Sequence, residues 1–109
     1  MKILVTLAFF VLSTAVYAMN IRPGMSLGKA KEALISKGWR PVNPHRGDGY
    51  RYIGVENDLI NKGHKEVESC ATDRALCIFV YRKNQKCVKL LTQGEEVQAM
   101  RVINISHGC

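Results

Sequence analysis

Apolar and charged positions alternate at helical spacing over residues 27–37. The apolar side of this run comprises Leu27, Ala30, Leu34 and Ile35, and lysines and a glutamate occupy the opposite side. Ser26 precedes the run as an N-cap, and Gly38 follows it where helices commonly end in a left-handed residue. The pattern predicts an amphipathic helix whose apolar stripe packs on a sheet.

A second, shorter helix is predicted over residues 55–62, with Gly63 behind it. The segments 34–42 and 59–67 echo one another, because five of nine positions are identical at an offset of 25 residues. Either a duplicated helix–glycine–strand unit or two independent uses of the same helix-ending residues explains this echo.

The rest of the chain has the shorter alternation that is typical of β-strands. Four strands are predicted, over residues 64–70, 77–81, 86–92 and 97–105. Residues 77–81 are apolar on both faces, which predicts a central strand, whereas residues 64–70 resemble a charged edge strand. Glu66 and Glu68 share one face of that edge strand and are expected in solvent. Hairpins that follow helices predict an α+β fold with one or two N-terminal helices packed on a four-stranded antiparallel sheet.

Residues 1–18 have the pattern of a secretory signal peptide. Lys2 is followed by an apolar run over residues 3–12 that is too short to span a bilayer, and Val16 and Ala18 form a small-residue cleavage site. A short membrane anchor is the alternative. Cleavage leaves residues 19–109 as a single domain of 91 residues and lowers the formal net charge from +7 to +6. The expected location is periplasmic or secreted, with no transmembrane span after cleavage.

The four cysteines indicate a disulfide-stabilised domain. An even number of cysteines in a small exported chain is typical of a disulfide framework, and three pairings are possible. We favour Cys70–Cys77, which flanks a loop between two strands, and Cys87–Cys109, which ties the C-terminus to a strand. The spacing matches no zinc module and contains no C-x-x-C, and His45, His64 and His107 are not spaced as metal ligands. Neither a metal nor a cofactor is expected.

Two local resemblances concern the fold. The residues Gly24-Met25-Ser26-Leu27, continued by Ala30, Leu34 and Gly38-Trp39, resemble the helix-to-strand unit of PASTA domains and the start of β-lactamase-inhibitor-protein-like and SmpA/OmlA modules. The stretch 66–70, with Cys77-Ile78-Phe79 and Thr92-Gln93-Gly94-Glu95, resembles a group of small, uncharacterised bacterial periplasmic α+β proteins. The second resemblance implies an exported, disulfide-bonded fold, and neither resemblance implies a catalytic or binding residue.

The sequence contains no recognisable catalytic set. A nucleophile needs a base within hydrogen-bond reach, yet the cysteines are expected to be oxidised and the three histidines lie in different segments. We therefore expect a protein that is not an enzyme. A small hydrolase is the weaker alternative, and no histidine or serine stands out for it.

The loop over residues 43–54 is the best candidate for a partner-binding surface. Its region concentrates arginine, tyrosine and histidine, which are enriched at binding hot spots: Arg40, His45, Arg46, Tyr50, Arg51 and Tyr52. The alternative is a solvated connection whose Tyr50 and Tyr52 cover the edge of the core. The tripeptide 46–48 also resembles an integrin-binding motif, although three residues recur by chance.

The charge of the chain narrows the possible partners. The 16 lysines and arginines exceed the 9 acidic residues, which favours an acidic partner by electrostatic steering. Export and the absence of a dense basic run with interleaved aromatics argue against nucleic acid. We expect an exported, non-enzymatic binding protein, an inhibitor or immunity protein that caps an acidic protein such as a toxin or an envelope enzyme. The alternative is a cell-envelope ligand binder that recognises peptidoglycan or anionic lipid.

Overall fold

The computed structural model describes residues 20–109, so the signal peptide predicted over residues 1–18 lies outside the described residues. The helices and strands are α1 (Leu27–Ser36), β1 (Arg40–Pro41), α2 (Val55–Asn61), β2 (Val67–Ala71), β3 (Leu76–Lys83), β4 (Lys86–Gln93) and β5 (Arg101–His107). Every strand pair is antiparallel, and the α+β fold is confirmed. Within residues 20–109, no helix combines the length and apolar character needed to cross a membrane.

Helix α1 begins at the predicted residue and ends one residue before the predicted end, with Lys37 as its C-cap. The Ser26 Oγ accepts a hydrogen bond from the Lys29 N–H at 3.2 Å, which caps the first turn. At the other end, Gly38 adopts a φ of +93°. The Gly38 and Trp39 N–H groups then donate back to the carbonyls of Ile35 and Leu34, which is the Schellman pattern.

Helix α2 ends in the same way, 25 residues later. Gly63 has a φ of +91°, and the Gly63 and His64 N–H groups donate to the carbonyls of Ile60 and Leu59. Leu34 and Leu59, which are equivalent in the echo, are both fully buried. The echo therefore corresponds to two helices that end in the same way, each followed by a strand that pairs with β3.

The strands of these two units share one edge of β3. β2 pairs with the first half of β3 and β1 pairs with its second half, while β4 occupies the opposite edge of β3 and β5 lies beyond β4. Val80 joins both units, because its N–H donates to the Glu66 carbonyl and its carbonyl accepts from the Val42 N–H. The central position of β3 and the edge position of β2 are confirmed. The prediction of four strands is wrong, since β1 makes a fifth and separates the two helices along the chain.

The entry of the chain into β2 overturns the expectation for Glu66 and Glu68. Val67 pairs with Phe79 and Ser69 with Ile78, so Glu68 is the extra residue and the alternation of faces is reset there. Glu66 precedes the strand, in a turn where the Val67 N–H donates to the His64 carbonyl, and it is fully buried, whereas Glu68 pairs with Lys89 at 2.9 Å. The prediction that both glutamates share a solvent-facing side is wrong.

The segment predicted as a strand over residues 97–105 begins instead with a 3-10 turn at Val97–Ala99. Residues three apart in such a turn lie above one another, so Val97 packs on the core beside the fully buried Met100. Gly94 makes this turn possible, because its φ is +149° and a Cβ there would lie 2.6 Å from the Ala99 carbonyl oxygen.

The core lies between the helices and one face of the sheet. Its fully buried residues include Leu34 of α1, Leu59 of α2, Phe79 and Tyr81 of β3, and Leu90 of β4. Two disulfides join Cys70 to Cys77 and Cys87 to Cys109, which are the favoured pairings. The first links β2 to β3, and the second fixes the last residue to the start of β4.

Candidate functional site

The loop over residues 43–54 connects β1 to α2 and is shaped by its own polar side chains. The Asn43 side-chain oxygen accepts from the His45 N–H, and the Asp48 carboxylate accepts from the Tyr50 N–H, each at 2.9 Å. Gly47 and Gly49 flank Asp48 with φ values of +76° and +75°. The loop is therefore a series of tight, internally bonded turns.

His45 holds this loop against the sheet. Its ring stacks on Tyr50 with centroids 3.7 Å apart, and Tyr52 packs edge-on against both rings. The Nδ1 atom lies 2.9 Å from the Asp48 carboxylate, and Nε2 lies 2.6 Å from the Glu68 carbonyl oxygen. Since both partners accept hydrogen bonds, the charged imidazolium, which has two N–H donors, fits this position best.

The electrostatics of His45 follow from these contacts. Burial opposes its protonation, but the hydrogen bonds to the Glu68 carbonyl and to Asp48 outweigh burial and raise the pKa of His45 above its ordinary value of 6.5. The hydrogen bond from His45 in turn lowers the pKa of Asp48. His45 and Asp48 thus form a charge-assisted pair on the surface of the loop.

Glu56 anchors the loop over residues 43–54 to α2 and β2. This α2 carboxylate is 1% exposed. It accepts from the Tyr50 hydroxyl at 3.0 Å, from the Ile53 N–H at 3.0 Å and from the Cys70 N–H at 2.8 Å. The loop, α2 and β2 therefore meet at one buried carboxylate.

A groove lies beside this loop, at the corner of the sheet where β1 joins β3. It is open to solvent, has a volume of about 500 Å³ and is lined by Arg40, Pro41, Val42, Asn43, Arg46, Lys65, Arg82 and Asn84. Four of these side chains are cationic and none is acidic. None of the four makes an ion pair with any residue in the described part of the chain. We call this feature the basic groove.

The structure divides the six candidate partner-binding residues. Arg40 and Arg46 line the basic groove, whereas His45, Tyr50 and Tyr52 form the stacked cluster beside it. Arg51 is exposed and belongs to neither group. Sequence reasoning missed Lys65 and Arg82. Arg82 reaches the groove because β1 pairs with β3, and Lys65 lies in the segment that enters β2.

A second polar cluster, which sequence reasoning also missed, surrounds Glu66. The Tyr81 hydroxyl donates to its carboxylate at 2.6 Å, and the Lys31 Nζ lies 3.2 Å from it. Burial opposes ionisation of Glu66, but hydrogen bonds from His64 and Tyr81 and the charge of Lys31 outweigh burial and lower the pKa of Glu66. The pKa of Tyr81 is raised, because its hydroxyl is buried and lies beside the Glu66 carboxylate. Every member has a partner and Glu66 is fully buried, so the cluster ties α1 to the sheet.

A second cavity and a metal site are the two other candidates for a functional site. A second cavity of about 590 Å³ lies beside the Cys70–Cys77 disulfide, and its charged lining residues are Asp73, Arg74 and Glu95. Because this lining mixes both signs of charge, it has no single electrostatic preference. Within residues 20–109, no group of three or more histidine, cysteine, aspartate or glutamate side chains is placed to hold a metal ion.

Comparison with protein-family models, with curated proteins and with solved structures finds no match for this chain. Its geometry is therefore the basis for assigning a function. The basic groove and the adjoining aromatic loop are the two features from which an assignment can be built.

The raised pKa of His45 makes the stability of the domain depend on pH. The folded state binds a proton at His45 more tightly than the unfolded state does, since its pKa lies above the unfolded value of 6.5. Protonated His45 therefore stabilises the fold fully below pH 6.5, and this stabilisation is lost as the pH rises through the folded pKa. Thermal unfolding midpoints should therefore fall between about pH 6 and 8 in the native chain. The variant His45→Phe keeps a ring over Tyr50 and should show a flatter profile over that interval. Identical profiles for the native chain and His45→Phe would contradict the assignment, and His107→Gln, an exposed histidine, is the control.

Proposed function

We propose that this chain is an exported, non-enzymatic binding protein that caps an acidic protein in the periplasm, as an inhibitor or an immunity protein. The observation that carries the proposal is the basic groove. Four cations, Arg40, Arg46, Lys65 and Arg82, surround about 500 Å³ without an acidic neighbour in the lining. Such a concentration of one charge attracts a partner of opposite charge and accelerates its association.

The loop beside the groove has the properties of a preorganised contact surface. Tyr50 is 37% exposed and Ile53 is 54% exposed, although the loop that carries them is held by His45 and Glu56. A rigid surface loses little conformational entropy on binding, and exposed aromatic and apolar side chains supply contact area. The loop therefore supports a protein partner rather than a small ion alone.

The buried polar clusters support a binding role over a catalytic one. Glu56 and Glu66 are the two buried carboxylates, and both are engaged by neighbouring donors. Neither carboxylate lines the basic groove. Their hydrogen bonds position the loop and the helices, which is a structural task.

Two observations support the proposed location in the periplasm. Residues 1–18 have the pattern of a secretory signal peptide. Two disulfides within a small domain are compatible with an oxidising compartment, where such bonds persist. An inhibitor or immunity protein in that compartment would meet its partner after export.

The test compares charge reversal inside the groove with equal charge reversal elsewhere. Immobilised native chain, the variant Arg40→Glu/Arg46→Glu and the control Lys29→Glu/Arg101→Glu are each incubated with periplasmic extract. Lys29 and Arg101 are exposed and outside the groove, and both double variants change the net charge equally. We expect an acidic protein to be retained by the native chain and the control, and retention by the groove variant to fall at least about tenfold.

Two results would contradict the proposal. The first is that the native chain retains no protein. The second is that the groove variant and the control retain the partner equally, which would show that the groove is not part of the interface. Binding of the native chain to purified sacculi or anionic vesicles, with no protein partner, would instead favour the envelope-ligand alternative. Added salt should weaken that binding, because it rests on exposed charges.

A further inference from the structure

Arg40 and Arg82 are opposed to one another across the short β1–β3 pairing. Their Cα atoms are register partners, and both side chains are exposed and line the basic groove. Directly opposed residues of an antiparallel pair project from the same face, with Cβ atoms about 4.5–5.5 Å apart. Like charges in that arrangement destabilise the sheet.

Nothing among residues 20–109 compensates this repulsion. Arg46 and Lys65 add two further positive charges to the same groove, and none of the four cations has an ion pair there. On the neighbouring strand β2, the carboxylate of Glu68 pairs with Lys89. The arrangement is unfavourable in the free protein and becomes favourable when anions enter the groove.

We propose that Arg40 and Arg82 form a carboxylate-binding subsite, which takes two acidic side chains from one segment of the partner. This inference rests on the proposed function and specifies the chemistry that the partner presents. Each guanidinium can donate two parallel hydrogen bonds to one carboxylate, so two adjacent arginines suit two adjacent carboxylates.

The walls of the groove favour an acidic peptide segment over a lipid surface. Pro41 and Val42 are half-buried and line the groove between the arginines and the loop, where they can contact the aliphatic stems of acidic side chains. The site is an open groove of about 500 Å³, along which an extended segment can lie. A bilayer surface presents its charges in a broad layer, whereas a peptide presents them along a line that matches a groove.

The experiment measures hexaglutamate binding and thermal stability on the same variants. Arg82→Gln removes one member of the pair, and Arg101→Gln removes an exposed arginine outside the groove on β5. Loss of a charge-assisted contact should weaken hexaglutamate binding by about tenfold or more in Arg82→Gln, with Arg101→Gln within about twofold of the native chain. In the absence of peptide, Arg82→Gln should melt about 1–4 °C higher than the native chain, because the repulsion is gone.

This opposite change in binding and stability distinguishes a ligand site from a structural contact. Unchanged hexaglutamate affinity in Arg82→Gln, or a lower melting temperature, would overturn the proposal. Inorganic phosphate and phosphatidylglycerol vesicles are tested at the same ionic strength, and tighter Arg82-dependent binding to either would overturn the carboxylate assignment. If hexaglutamate binds through Arg82 but no protein is retained from extract, the subsite stands and the proposed function fails. If a partner is retained through the groove but hexaglutamate does not bind, the function stands and the subsite fails.

Discussion

Replacing Glu56 by alanine is expected to destabilise the domain by about 3 kcal/mol, a large part of the stability of a domain of this size. The carboxylate is 1% exposed and is shared by the Tyr50 hydroxyl and the N–H groups of Ile53 and Cys70. Its removal leaves these three donors without their acceptor beside a buried cavity at the start of α2. Chemical denaturation at neutral pH measures the change in unfolding free energy.

Two further measurements separate this effect from a general loss of helix stability. Asp58→Ala alters an exposed carboxylate in the same helix and should change stability by less than about 1 kcal/mol. In native-state hydrogen exchange of Glu56→Ala, the amides of Ile53 and Cys70 should lose protection before those of β3 and β4. A change in unfolding free energy as small as that of Asp58→Ala would show that Glu56 does not anchor the loop.

Removing the Cys87–Cys109 disulfide is expected to lower stability by about 3.4 kcal/mol. The bond spans 22 residues and closes the last loop of the chain, so its loss enlarges the conformational freedom of the unfolded state. In the folded state it holds the end of the chain where the Gly108 N–H donates to the Cys87 carbonyl. The double variant Cys87→Ala/Cys109→Ala, studied by thermal unfolding, should show the loss.

The second disulfide is the matched comparison. Cys70–Cys77 spans only 7 residues, and its removal should lower stability by a smaller amount, about 2.4 kcal/mol. Equal melting of the native chain and Cys87→Ala/Cys109→Ala would refute the stabilising role of the longer bridge. Peptide mapping without reduction gives an independent check, since a fragment that links Cys70 to Cys109 would be incompatible with this fold.

The features that sequence could predict are those set by neighbouring residues. Ser26 and Gly38 bound α1 because a cap and a left-handed glycine act within one turn of the helix. The central position of β3 followed from apolar residues on both of its faces. The disulfide pairing followed from the positions of the cysteines around predicted strands.

The features that sequence could not predict depend on pairing between distant segments. β1 is two residues long, and Arg40–Pro41 becomes a strand only because β3 offers it an edge. Arg82 consequently joins Arg40 in the basic groove, although nothing near Arg82 in the chain marks it for that role. Glu66 likewise lies in the turn over residues 65–66 before β2, so its side chain is buried although strand alternation predicted it in solvent.

Only part of the candidate site could be predicted, because the rest of it also depends on pairing between distant segments. Composition pointed to the loop over residues 43–54, and Arg46 and Tyr50 are placed where a partner could reach them. Lys65 comes from a different unit of the fold and is brought in by the chain that enters β2. Composition identifies a loop that is rich in arginine and tyrosine, whereas only the sheet determines which cations gather beside it.

The shared edge of β3 also constrains the order in which the protein assembles. Val42 and Glu66 both depend on Val80 for their backbone hydrogen bonds, and Val80 is followed by the tight turn that joins β3 to β4. The hairpin of β3 and β4 uses only local contacts, which form quickly, whereas β1 must close a long loop to reach it. Because the chain is synthesised from its N-terminus, neither helix–glycine–strand unit can form its backbone hydrogen bonds to Val80 until residue 80 has been added. Assembly of the fold therefore waits for the C-terminal half of the molecule.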